Sequence, residues 1–187
     1  MSLLNPRRMI EDGILQGITS DKAIQPNAVD VDCVSIYTLS GSIELSETGK
    51  SLPSLTKLEP IDGFWYLEPN TAYDCSSSAY CEIPEGVAAT LHIRSTLNRG
   101  GIRLSSGIYD SGFKGSIAYV IHVGPLPLKL GVGTRVAQVA CWSSDSEGKY
   151  AGGYNHEKGR HWASETGRFD GTKPNESNVP KSIEESR

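Results

Sequence analysis

Between Leu91 and Val123 the chain reads LHIRSTLNRGGIRLSSGIYDSGFKGSIAYVIHV, two strand-like runs enclosing hydroxyls, guanidiniums and glycines around one isolated carboxylate, Asp110. The second run constrains the fold most tightly. Ile117, Tyr119, Ile121 and Val123 alternate against Ser116, Ala118, Val120 and His122, a period of two that fits a strand with two differently solvated faces. Gly124-Pro125 ends it. Ahead of it, Ile93 to Arg99 turns abruptly from apolar to polar, placing Arg94, Arg99, Ser95 and Thr96 where an anion could be met by charge-assisted hydrogen bonds. In Ser106 to Gly115, glycines bracket Asp110 and Phe113, so backbone can approach a ligand closely while one carboxylate is aimed at it. This grouping suits a triphosphate.

A chain of 187 residues with 37% hydrophobic content can bury one core and is short for two full domains. Residues 1–170 are expected to form a single domain. With 7% aromatics, 20 glycines and 10 prolines, the composition favours many short strands and tight turns, an all-β architecture. The net charge of −4 gives no bulk attraction to nucleic acid, so a polyanionic ligand must be held by a local basic cluster. Cys33, Cys75, Cys81 and Cys141 show no CxxC or Cys/His ligand spacing and read as small core residues. No apolar leader or membrane-length run is present, and a soluble cytoplasmic protein is expected.

Ile10, Ile14 and Leu15 lie at helical spacing after Asn5-Pro6, which predicts a short amphipathic helix stopped near Gly17. Strands are expected over residues 28–39, 63–67, 79–83, 87–93, 126–130 and 136–142, with a hairpin or excursion in residues 40–60, rich in Ser, Thr and Pro. From Ser143 the chain turns polar and glycine-rich. Residues 143–170 suit a mobile C-terminal lid, and residues 171–187 have the composition of a disordered tail.

Arg94-Ser95-Thr96-Leu97, followed by Gly107-Ile108-Tyr109-Asp110-Ser111-Gly112-Phe113-Lys114-Gly115, resembles two motifs of the dCTP deaminase and trimeric dUTP diphosphatase superfamily in order and separation. Gln25-Pro26-Asn27-Ala28-Val29-Asp30-Val31, Leu67-Glu68-Pro69 and Glu82-Ile83-Pro84-Glu85-Gly86 extend the resemblance over roughly three-quarters of the chain and make the scaffold deaminase-like. The resemblance implies a distorted β-barrel or jelly-roll-like subunit with a short N-terminal helix. It also implies a homotrimer with active sites at subunit interfaces.

By the same resemblance, Asp110 would activate the attacking water, and Phe113 would pack on deoxyribose and exclude a 2′-hydroxyl. The backbone of Ser106, Gly107 and Ile108 would read the pyrimidine edge. Arg94, Ser95, Thr96, Arg99, Gln138 and Lys149 would hold phosphates, and Tyr154 in Gly152-Gly153-Tyr154 would close over the base. Mg²⁺ would bind mainly through substrate phosphates, without a direct protein ligand, and Asp30 could be structural or lie in the metal's outer shell. His156, Lys158, Arg160 and His161 could add positive charge.

One departure separates the two reactions. The deaminases place a water-activating Glu ten residues beyond the hairpin Asp, where this chain has Val120. A valine neither accepts nor donates a proton. His122 shares the strand face but is displaced by about 6 to 7 Å along it. The reading is therefore a dUTP diphosphatase, converting dUTP and water to dUMP and pyrophosphate. Its rivals are a dCTP deaminase or bifunctional enzyme, and a non-catalytic nucleotide-binding regulatory trimer.

Overall fold

The computed structural model describes residues 2–47 and 49–155. Its elements are α1 (Pro6–Glu11), β1 (Leu15–Gln16), a 3₁₀ turn (Asp21–Ala23), β2 (Val29–Asp32), β3 (Ser35–Ser40), β4 (Glu44–Ser46), β5 (Gly49–Ser51), β6 (Ser54–Lys57), β7 (Phe64–Leu67) and β8 (Ala72–Glu82), then β9 (Val87–Ile93), α2 (Ser95–Arg99), β10 (Arg103–Ser105), β11 (Lys114–His122), β12 (Leu128–Gly131) and β13 (Arg135–Ser143). Strand therefore dominates.

The largest sheet runs β10-β11-β8-β3-β6, with β1 added on β8; a second runs β2-β13-β9, and β12-β7 and β4-β5 form two-stranded ribbons. Alternation explains the packing. On β11, Ile117, Tyr119 and Ile121 are buried, and they meet Val29 and Val31 of β2 and Val136, Val139 and Cys141 of β13 in one hydrophobic core. The two inner faces are also tied by the Tyr119 hydroxyl, which donates to the Asp32 carbonyl at 3.0 Å. The strands remain in separate sheets and do not close into one barrel, which corrects the expectation of a barrel.

The N-terminal helix is shorter than its periodicity predicts. Asn5 caps it, its side chain accepting from the Arg7 amide, and the helix ends at Glu11. Gly13 follows with φ 74°, and the chain then enters β1, where Leu15 and Gln16 pair with Cys81 and Tyr80. Ile14 and Leu15 are thus core residues of an extended segment, not of a helix face.

Strand β8 begins earlier than its apolar residues suggest and carries a bulge opposite Ile117, where the register jumps between Ser116 and Ala118. Asp32 fills that bulge. Its carboxylate accepts from the Ser77 hydroxyl at 2.6 Å, the Ser78 amide at 2.8 Å and the Ser78 hydroxyl at 2.7 Å. Gly17 passes close beside it: a Cβ there would lie 2.8 Å from the Ser78 carbonyl oxygen, and its φ of 80° already favours glycine.

All four cysteines are free and buried. Burial pushes the Cys141 thiol up to about 12, and Cys81 is raised by burial first and by Cys141 second. Thiolate is the reactive form. Titration of the native protein with a thiol reagent at pH 8 should therefore label none of them on the minute timescale, and all four after denaturation. Rapid labelling of the native protein would contradict this core.

Candidate active site

Residues 106–113 leave β10, bridge to β9 through Tyr109 and Ala89, and enter β11. This hairpin is held by local chemistry. The Phe113 amide donates to the Asp110 carbonyl, the Gly112 amide to the Ile83 carbonyl, and the Ile83 amide to the Phe113 carbonyl. Buried Ser111 donates its hydroxyl to the Val87 carbonyl at 2.7 Å. With the backbone anchored on both sides, the Asp110 side chain is left exposed at the tip.

Against this hairpin lies a pocket of about 500 Å³. Ser106, Gly107, Ile108, Phe113, Val120 and Tyr154 line it, together with Asp74, Tyr109 and Tyr150. The aromatic wall is continuous: Phe113 makes edge contacts with Tyr109 at 5.3 Å and with Tyr150 at 5.5 Å between ring centroids. The Tyr109 hydroxyl donates to the Ala118 carbonyl at 2.7 Å, and burial raises its pKa. Tyr150 is likewise raised, by burial first, with the Asp110 carboxylate adding to the effect. Such a slot, apolar on its walls with few polar groups, is what a heterocyclic base requires.

The segment after β13 covers the pocket. The Tyr150 amide donates to the Ser111 carbonyl, and the Lys114 amide donates to Asn155 Oδ1 at 2.9 Å. Gly112, at φ 86°, permits this approach, because a Cβ would fall 2.9 Å from Lys149 Cβ. Tyr154 is met from the other side by Lys50 on β5, whose ammonium lies 3.4 Å from the phenol oxygen and 4.9 Å from the ring centroid. The remainder of the expected lid, residues 156–170, falls outside the described residues. So do the tail, residues 171–187, and His156, Lys158, Arg160 and His161.

The expected phosphate residues gather elsewhere on the chain. Arg94 stands at the N-cap position of α2 with its side chain turned to other partners, and Ser95, Thr96 and Arg99 on that helix are exposed. Arg94 Nε lies 3.1 Å from the Asp30 carboxylate, Arg135 lies 3.0 Å from the same oxygen, and Gln138 Nε2 donates to the other oxygen at 2.9 Å. Asp30 is fully buried, so its charge is matched inside the fold by two guanidiniums and an amide. Of the two roles open to Asp30, structural or in a metal's outer shell, this network is of the structural kind. Lys149 pairs with Glu85 at 3.1 Å, both being exposed. One chain thus joins Ser106, Gly107, Ile108, Phe113 and Tyr154 in the pocket beside Asp110, and holds Arg94, Ser95, Thr96, Arg99 and Gln138 apart from it.

Asp74, Tyr109, Tyr150 and Lys50 complete the pocket or its cover without having been singled out as pocket residues in the sequence. Tyr109 sits inside the hairpin motif and Tyr150 inside the expected lid, but no local pattern marks Asp74 or Lys50. His122, two residues beyond Val120, accepts from or donates to the Ser105 hydroxyl at 3.1 Å and does not line the pocket.

A sequence model described as "dCTP deaminase-like" matches residues 5–144. The chain belongs to the dCTP deaminase-like family. Within reach of this family, a protein of Methanothermobacter thermautotrophicus named "Probable deoxyuridine 5'-triphosphate nucleotidohydrolase" is 33% identical over 149 residues, covering 78% of this chain and 98% of the relative. A protein of the same name from Methanopyrus kandleri is 32% identical over 132 residues, covering 70% of this chain and 86% of the relative. Among solved structures, the 2'-deoxycytidine 5'-triphosphate deaminase from Agrobacterium tumefaciens superposes with a TM-score of 0.59 at 15% identity. That superposition covers 74% of this chain but 47% of the deaminase, so it speaks to the shared fold alone. Family membership accounts for the deaminase-like order of α1, strands and hairpin.

Proposed function

We propose that the protein is a dUTP diphosphatase, cleaving dUTP with water to give dUMP and pyrophosphate. The observation that carries this reading is the pairing of Asp110 at the hairpin tip with Val120 on the pocket floor. Attack on phosphorus retains its carboxylate, whereas attack on a pyrimidine ring lacks the Glu at the position of Val120. The archaeal relatives' names point the same way.

In this reading the base enters between the hairpin and Tyr154, with the backbone of Ser106, Gly107 and Ile108 at its hydrogen-bonding edge. Phe113, fixed between Tyr109 and Tyr150, lies under the sugar and disfavours a 2′-hydroxyl. Asp110 accepts a proton from water or orients it towards phosphorus. The phosphate-binding groups of α2, with Gln138, come from neighbouring subunits of a homotrimer, whereas Lys149, packed against Gly112 of the hairpin, comes from the same chain. The separation of α2 from the pocket within one chain supports that division.

Among the described residues no group of three or more His, Cys, Asp or Glu side chains could hold a metal. In this reading Mg²⁺ is carried by the triphosphate and completed by water. Its contribution when bound is to neutralise phosphate charge. A cytoplasmic setting accords with four free thiols, and among the described residues no helix is long and apolar enough to cross a membrane.

Pyrophosphate release tests the reading. With Mg²⁺, dUTP should be hydrolysed, EDTA should stop the reaction, and UTP should react at least about 100-fold more slowly, the discrimination expected of a steric sugar contact. Nucleotide binding without any product would instead favour the non-catalytic trimer.

A further inference from the structure

The pocket contains one formal charge that the reaction above does not use. Asp74 lines it, on β8, and is only 5% exposed. In the sheet register Ser105 of β10 stands opposite Val120 of β11, and Val120 stands opposite Asp74. Directly paired residues project from the same face, so these three form a row across the pocket floor. The row spans two strand spacings, about 9.5 Å.

Burying a carboxylate among Val120, Ala118, Tyr109 and Phe113 is unfavourable unless donors reach it. Asp74 has an interaction within the chain, yet two carboxylate oxygens offer about four acceptor sites, so a ligand donor can be added. The geometry also says which part of a base would supply it. The hairpin residues Ser106 to Ile108 continue directly from Ser105 at one end of the row. A pyrimidine held there by its O2, N3 and O4 edge directs its opposite side, which carries C5, across Val120 towards Asp74. That step rests on the diphosphatase reading for the orientation of the base.

We propose that Asp74 is a specificity-determining residue that accepts a hydrogen bond from a substituent on C5, so that the preferred substrate is a deoxyuridine triphosphate bearing a hydroxyl or amine donor there. Unmodified dUTP leaves the space beside Asp74 to water. The methyl group of dTTP offers the carboxylate no donor and displaces that water, so dTTP is the poorest of the three. Val120 keeps the intervening floor apolar, which confines polar recognition to the far end.

The test compares kcat/KM for 5-hydroxymethyl-dUTP, dUTP, dTTP and dCTP, in the wild type, Asp74→Asn and Asp74→Leu. A charge-assisted hydrogen bond to a largely buried carboxylate predicts a 5-hydroxymethyl-dUTP to dUTP ratio of about 10 to 100 in the wild type. The ratio should fall to about 1 in Asp74→Leu and to an intermediate value in Asp74→Asn. A wild-type ratio near 1, a ratio unchanged in Asp74→Leu, or a stronger preference for dCTP would overturn the proposal. Titration calorimetry with the α,β-imido analogues of the same nucleotides gives the corresponding binding ratios. If the wild type turns over none of the nucleotides, the diphosphatase reading fails and the binding ratios decide this inference by the same limits. If dUTP is hydrolysed without the preference, only this inference fails.

Discussion

Asp110→Asn should lower the turnover of dUTP by about 10³-fold, the middle of the range for losing a positioned general base, while leaving nucleotide affinity within a few-fold. The asymmetry follows from where the residue sits. Its backbone carbonyl accepts from the Phe113 amide and so helps to close the hairpin, but this contact survives the substitution. Its side chain is exposed at the tip, so stability should change by no more than about 0.5 kcal/mol. Asparagine keeps the shape and removes the ability to take a proton. Single-turnover rates with calorimetric binding of dUTP check both halves, and a loss of less than about tenfold in rate would remove Asp110 from the chemistry.

The second large effect is on stability. Asp30→Ala should destabilise the fold by about 3–5 kcal/mol, lowering Tm by roughly 10 °C for a domain of this size. The Asp30 side chain is 0% exposed, while the Arg94 and Arg135 side chains are 30% and 34% exposed. Removing the carboxylate leaves two like charges facing each other and strips the Gln138 amide of its partner. Arg94 also occupies the N-cap position of α2, so a disturbed network shifts the start of the helix that carries Ser95, Thr96 and Arg99. Thermal unfolding followed by circular dichroism measures the first consequence; a Tm within about 2 °C of wild type would show that the network is replaceable. Phosphate affinity should weaken in parallel.

Much of this was legible in the chain because period-two alternation with one buried face leaves a direct trace. The β11 pattern of buried Ile117, Tyr119 and Ile121 against half-buried Ser116, Ala118 and Val120 is such a case, and β9 spans Val87–Ile93 as its composition suggests. Strand β8 was harder, because Asp74-Cys75-Ser76-Ser77-Ser78 lacks bulky apolar residues. Its polar side chains serve the pocket and the bulge that Asp32 fills. The helix α2 buries no residue and so left no apolar stripe to detect.

The candidate site was legible in its motifs and opaque in its assembly. Spacing marked the hairpin because glycines and Asp110 act locally. Nothing in the order of residues says that Arg94 and Gln138 converge on Asp30, or that Asp74 stands beside Val120, since each contact joins strands distant in sequence. Tyr109, whose hydroxyl serves a β11 carbonyl, is visible in the motif but acquires its role only when the hairpin folds back.

Keeping Asp110 while carrying Val120 directs this deaminase-like scaffold to phosphorus and not to the base. Incubating the protein and Mg²⁺ separately with dUTP and with dCTP, and assaying pyrophosphate and ammonia in each, tests this directly. Pyrophosphate and dUMP should form from dUTP, and no ammonia from dCTP. Ammonia released from dCTP at a rate comparable to dUTP hydrolysis would contradict this assignment.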